Sequence, residues 1–175
     1  MFGNRLRDLF ARPQPLLAIE PQLWQELLGE LRARGDGRRE SGAFLLGPVA
    51  DGRPRRVAEA IYYDDLDPTS LTGGISFTGS AYGRLWDECA ERGLEVVGDV
   101  HTHPGGWVAQ SATDRAHPML AQAGHVGLIV PHFAQKAVRA RDVGVHEYLG
   151  DGRWRSWLGR DAERRLLLGR RRWWR

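Results

Sequence analysis

Apolar positions along the chain switch between two spacings, and the switches mark out the elements. Pro15-Leu16-Leu17-Ala18-Ile19 is a short continuous apolar run that reads as a strand. From Pro21 the spacing changes: Trp24, Leu27, Leu28 and Leu31 recur at i, i+3, i+4 and i+7, which predicts a helix burying one stripe, and Gly35-Asp36-Gly37 stops it. Residues Gly42 to Val49 and Pro54 to Tyr62 read as a hairpin about Asp51-Gly52, a strong two-residue turn signal. The stretch Asp64 to Gly74 has the composition of an acidic loop, either a solvated connector or a substrate-contacting segment. Ser80 to Arg92 predicts a second helix, with Tyr82, Leu85, Trp86, Cys89 and Ala90 on one face and Gly93 at its end.

The β-branched run Leu94 to Val100 predicts a strand that ends near His101 and His103. Ser111 to Ala121 has helical spacing, with a kink or early stop at Pro118, which lacks a backbone donor. His125 to Val130 reads as a strand, and Val143 to Leu149 with Arg153 to Leu158 as a hairpin around Gly150-Asp151-Gly152. Strand, helix, hairpin, helix, strand, short helix and strands in that order predict an α/β (α+β) fold, a mixed β-sheet flanked by helices.

A length of 175 residues predicts one domain with a real core. Cys89 is the single cysteine, so an internal disulfide and a CxxC metal site are excluded; its place on the helix stripe makes it a small core residue. Met1 to Phe10 carries charges where a signal peptide needs an apolar core, and no run approaches a membrane span, so a soluble, cytoplasmic protein is expected. Charge changes the picture only at the end: residues 153–175 hold nine Arg against Asp161 and Glu163. The expected organisation is a domain over residues 1–160 and a basic Arg/Trp-rich tail over 161–175, read as a short helix docked through its leucines with a cationic end.

The chemistry concentrates in Asp99 to Asp114. Alternate residues of a strand share a face, so the His101 and His103 imidazoles reach one ion, and Asp114 adds a carboxylate. Three such ligands suit one catalytic zinc ion and leave the fourth tetrahedral position open. Glu40, opening the apolar strand that follows it, is the candidate general base, and Ser111, one helical turn before Asp114, the candidate oxyanion donor. Asp99 lies on the same strand face; it orients an imidazole, competes as a ligand or serves structure, and the structural role is preferred. His117, His125, His132 and His146 lack ligand spacing and read as surface or satisfied core residues. Singly, Ser-x-x-Asp is also a helix capping box.

Glu40, then His101-Thr102-His103-Pro104, Ser111 and Asp114 resemble the full signature of the JAMM/MPN zinc metalloproteases, over about residues 16–150. The resemblance implies a single MPN-like domain of cytidine-deaminase-like architecture, zinc on His101, His103 and Asp114, Glu40 as general base and acid, and Ser111 as oxyanion donor. It implies a deubiquitinase-like isopeptidase that cleaves after the C-terminal glycine tail of a ubiquitin-like protein, in deconjugation or precursor maturation. The compact form resembles bacterial members encoded beside ubiquitin-like, E1-like and E2-like proteins, including in antiviral defence operons; these are the expected partners, with no membrane among them and nucleic acid not favoured.

Three other classes compete. A non-catalytic MPN-like scaffold predicts a decayed ligand set, whereas all five motif residues are present. A zinc nucleobase deaminase needs His-x-Glu and Pro-Cys-x-x-Cys, which a lone Cys89 cannot supply. A metal-dependent nucleic-acid-binding protein would use the Arg/Trp tail.

Overall fold

The computed structural model describes residues 14–50, 52–71, 75–77 and 79–169. The Asp51 half of the hairpin turn, the end of the acidic loop at 72–74, the N-terminal residues 1–13 and the cationic end of the tail at 170–175 lie outside them.

The chain opens with β1 (Leu17–Ile19) and α1 (Pro21–Gly35), and proline at the first helical position costs nothing because its missing N–H would have no partner there. Asp36 adopts the left-handed conformation that closes α1, its N–H bonded to the Arg32 carbonyl. Next come β2 (Gly42–Pro48), β3 (Arg55–Val57), β4 (Glu59–Tyr62), a single turn α2 (Tyr63–Leu66) and α3 (Gly79–Arg92). Then follow β5 (Leu94–Thr102), α4 (Ala112–Ala116), β6 (Val126–Val130), β7 (Gly144–Gly150), β8 (Arg153–Trp157), α5 (Arg160–Glu163) and β9 (Leu166–Leu168).

A six-stranded sheet runs β4-β2-β5-β6-β7-β8, antiparallel except for β5 beside β6. Alternation along β2 fills both sides of it: Ala43 and Leu45 join the cluster of Trp24, Leu27 and Leu31 from α1, whereas Phe44 and Leu46 join Ala81, Leu85 and Cys89 from α3. Each leucine and phenylalanine among these contributes roughly 1.5–3 kcal/mol on burial, enough to dock both helices without strong intrinsic propensity.

One irregularity decides where the site faces. The β2–β5 register runs Leu45↔Gly98 and then Leu46↔Val96, so Val97 is an extra residue in β5, a β-bulge. Because of it Val97 and Val100 both pack on the α1 side, while Leu94 and Val96 pack on the α3 side. Asp99 and His101 alternate with Val100 and therefore face α3 as well.

Four expectations are corrected. The second arm of the predicted hairpin divides at Ala58: β4 pairs with β2, but β3 leaves to pair parallel with β1 in a separate sheet of order β3-β1-β9. Leu166 to Leu168 form β9 beside β1, not a helix; three leucines in a row supply a buried strand as readily as a helical turn. The α3 stripe is Ala81, Leu85 and Cys89, with Trp86 and Ala90 exposed. The acidic loop begins as α2, whose Asp64 and Asp65 both pair with Arg34 of α1 at 2.7 Å. The helix after Ser111 stops at Ala116, ahead of Pro118, as the proline predicts. Among the described residues, no helix is long and apolar enough to cross a membrane.

Candidate metal centre

His101 and Thr102 end β5, and His103 continues the chain with its N–H bonded to the Val130 carbonyl of β6. Both imidazoles reach the same spot: their Nε2 atoms lie 3.1 Å apart. Asp114 enters from the first turn of α4, its Oδ1 3.8 Å from His101 Nε2 and its Oδ2 3.4 Å from His103 Nε2. One donor atom from each residue falls within 4.8 Å of the other two, the one such His/Cys/Asp/Glu group among the described residues.

The surroundings fix these donors. His103 Nδ1–H donates to the Trp107 carbonyl at 3.0 Å, which leaves the Nε2 lone pair facing Asp114. Ser111 caps α4: its Oγ accepts from the Asp114 N–H at 3.1 Å, and the Asp114 carboxylate accepts from the Ser111 N–H at 2.7 Å. The capping box and the candidate ligand set thus share Asp114, with the cap aiming its carboxylate at the histidines. Burial works against ionisation of Asp114, but the two imidazoles and the Ser111 N–H hold its carboxyl well below the usual carboxylate range. For His103, burial opposes protonation, and Asp114 with the Trp107 carbonyl outweighs it, so its pKa is raised.

Glu40 lies just before β2. Ser41 pairs with Thr102 through Thr102 N–H to Ser41 O at 2.9 Å and Ser41 N–H to Thr102 Oγ1 at 3.0 Å, and Ser41 Oγ donates to the Leu31 carbonyl at 2.7 Å. Continuing that antiparallel register sets Glu40 opposite His103, on the face of the candidate metal ligands. Glu40, His101, Ser111 and Asp114 line one cavity of about 520 Å³, together with Tyr63, Asp99, Gly127, Ile129, His146 and Trp154. Its lining holds three carboxylates and neither lysine nor arginine.

Asp99 is engaged elsewhere: Oδ1 lies 2.6 Å from His125 Nε2, and Oδ2 accepts from the Tyr63 hydroxyl at 3.0 Å. The geometry supports its structural role. Burial, reinforced by Asp99, pushes the Tyr63 hydroxyl well above its ordinary pKa, so it remains a donor. His125 and His146 are buried and hydrogen-bonded, and His117 is exposed at the cavity wall. Burial pushes the Cys89 thiol up, away from nucleophilic use.

Sequence reasoning missed Tyr63 and Gly42; His146, read as a surface or satisfied core residue, is the latter, buried and hydrogen-bonded. A β-carbon on Gly42 would collide with the Tyr63 ring and the Val100 carbonyl, so only glycine lets the ring close over β2 beside His101. His146 Nε2–H donates to the Val108 carbonyl at 2.9 Å and its Nδ1 pairs with Ser156 Oγ at 2.8 Å, which anchors the loop between the ligands. No local pattern announces these long-range contacts.

The fold is shared with solved structures. The solution structure of protein DSY2949 from Desulfitobacterium hafniense is similar over 89% of this chain and 94% of its own, with a TM-score of 0.62 and 18% identity. A protein from Salinibacter ruber is similar over 80% of this chain and 88% of its own, with a TM-score of 0.55 and 22% identity. A family model described as prokaryotic homologs of the JAB domain matches residues 22–144, which include every residue of the centre. The chain therefore belongs to the prokaryotic JAB (MPN) domain family.

Proposed function

We propose that this chain is a zinc-dependent peptidase that hydrolyses the amide bond after the C-terminal glycine tail of a ubiquitin-like protein, releasing it from a conjugate or maturing its precursor. The observation that carries the reading is the convergence of His101, His103 and Asp114 within 4.8 Å at the wall of a cavity that also presents Glu40 and Ser111. Two imidazole nitrogens and one carboxylate oxygen are a donor set that fits zinc and leaves a coordination position for the reaction. When bound, the ion supplies a Lewis acid that polarises the scissile carbonyl and makes a water acidic near neutral pH.

The remaining work falls to the chain's own groups. Glu40, a half-buried carboxylate on the ligand face, accepts the proton of the attacking water and passes it to the departing nitrogen. Ser111 uses its oxygen as the acceptor for the Asp114 N–H, which leaves its hydroxyl proton free to donate to the developing oxyanion. His103 and Asp114 are held by Trp107 and Ser111, so the donor set is organised before substrate arrives. The partners of this reading are a ubiquitin-like protein, its conjugates, and the E1-like and E2-like proteins that would form them in a bacterial, antiviral pathway.

The test is intact-mass analysis of a ubiquitin-like protein extended beyond its C-terminal Gly-Gly, incubated with the zinc-loaded chain, with Glu40→Gln and with a chelator. Cleavage directly after the tail, lost in both controls while Glu40→Gln still binds one zinc, is expected. Zinc binding without cleavage of any extended tail tried would favour a non-catalytic scaffold.

A further inference from the structure

The loop between His103 and Ser111 is held far more firmly than a connector requires. Four carbonyls along it are bonded: His103 O by the Phe133 N–H and Gly105 O by the His132 N–H, each at 2.9 Å, Trp107 O by His103 Nδ1 at 3.0 Å, and Val108 O by His146 Nε2 at 2.9 Å. What this fixed loop displays is a bare indole. Trp107 is 62% exposed, with its ring centroid 6.3 Å from that of the ligand His103.

Leaving an indole in water forfeits the burial that a tryptophan ordinarily gains, and immobilising the loop beneath it costs further conformational entropy. Both costs are recovered when a partner covers the ring, because a pre-ordered side chain loses little freedom on binding. Tryptophan, with tyrosine and arginine, is among the residue types enriched at binding hot spots. The carbonyls beneath it are already bonded, so the loop offers a partner its indole face rather than a strand edge. Gly105 and Gly106, which precede Trp107, are exposed and add no side chain beside it.

We propose that Trp107 is a specificity-determining residue that packs on the substrate's extended C-terminal tail beside the scissile bond. The inference rests on the peptidase reading above. An indole lies flat against the peptide planes and Cα–H groups of glycyl residues, whereas a β-carbon at those positions holds the chain off the ring. Trp107 thereby favours a glycine tail over a side-chain-bearing one. Its carbonyl serves His103, so a substitution that alters only the side chain leaves the metal donors as they are.

The experiment uses the full zinc-loaded chain and a ubiquitin-like protein extended beyond Gly-Gly, with an Ala-Ala version of the same tail. Wild type, Trp107→Ala, Trp107→Phe and Trp86→Ala are compared, the last removing an exposed indole of α3. Zinc content is measured in each. For Trp107→Ala a rise in KM of about tenfold is expected, with kcat within about twofold, zinc content unchanged and the preference for Gly-Gly over Ala-Ala diminished. Trp107→Phe is expected to restore most of the affinity, and Trp86→Ala to change neither constant. An unchanged KM in Trp107→Ala, or an equal rise in Trp86→Ala, would overturn the assignment while the peptidase reading stands. If zinc-loaded wild type neither cleaves the tail nor, as Glu40→Gln, binds it, both fall together.

Discussion

The backbone N–H of Phe133 donates to the carbonyl of His103 at 2.9 Å, and it does so from a conformation that L side chains rarely adopt. His132, Phe133 and Ala134 have φ values of 56°, 51° and 56°, three successive non-glycine residues in the left-handed region. Such residues each cost about 1–2 kcal/mol and persist only where the surroundings require them. Here the requirement is visible, since the turn delivers two N–H groups to the carbonyls of His103 and Gly105.

Ala134→Gly is therefore expected to be neutral or to stabilise the chain by up to about 1 kcal/mol, because relief of the left-handed strain outweighs the entropy of a freer unfolded chain. Phe133→Pro is expected to do the reverse: proline cannot reach φ near +51° and has no N–H for His103, so zinc affinity falls by about tenfold or more. Urea unfolding and chelator competition measure the two effects. Marked destabilisation by Ala134→Gly would show that the turn is not strained in solution.

Asp99→Asn separates a structural carboxylate from a metal ligand. The substitution removes a buried charge that His125 and the Tyr63 hydroxyl both contact, and about 2–3 kcal/mol of stability is expected to go with it. Zinc affinity is expected to stay within about threefold, whereas His103→Ala or Asp114→Ala abolishes stoichiometric binding. Loss of zinc in Asp99→Asn at a temperature where the chain remains folded would return Asp99 to the ligand set.

Ser111 caps α4 and, under the peptidase reading, also donates to the oxyanion, and different substitutions take these two tasks apart. Ser111→Ala removes the acceptor for the Asp114 N–H, worth about 1 kcal/mol of stability, and removes the oxyanion donor, worth about 100-fold in kcat under the peptidase reading. Ser111→Asn supplies a capping oxygen and is expected to recover the stability but not the rate. Recovery of both by asparagine would mean that Ser111 acts on catalysis only by placing Asp114.

The candidate metal centre was legible because its three donor residues are close in sequence. A strand end places two alternate histidines on one face, and a capping signature a few residues later returns a carboxylate, so local geometry alone brings them near. Glu40 is distant in sequence, and its position depends on β2 lying beside β5, which an apolar run suggests but does not specify. What a sequence hides is where local patterns admit two outcomes. Leu166-Leu167-Leu168 serves helix or strand equally, and only the unpaired edge of β1 decides for a strand. The extra residue at Val97, which turns His101 towards α3, leaves no mark in the alternation of Leu94 to Val100 that distinguishes it from an unbroken strand.

His146 makes the stability of this chain depend on pH in a stated direction. It is 1% exposed, and burial pushes its pKa down to about 4 from an ordinary value of 6.5. The folded chain holds the ring neutral, with Nε2–H on the Val108 carbonyl and Nδ1 paired with the Ser156 hydroxyl. The unfolded chain takes up the proton first as pH falls. The associated stability is thus complete above about pH 6.5 and is lost progressively between there and pH 4, by about 3 kcal/mol in all. His146→Gln, which can still donate to Val108, does not titrate. The stability difference between wild type and His146→Gln, followed by urea unfolding from pH 7 to 4, cancels whatever titration is common to both chains. A difference that shrinks or reverses as pH falls is expected, whereas one that stays constant would show that the buried ring is not held neutral. Because the Val108 carbonyl belongs to the loop that carries Trp107, the same acid range is expected to raise KM for a tail substrate before the chain unfolds.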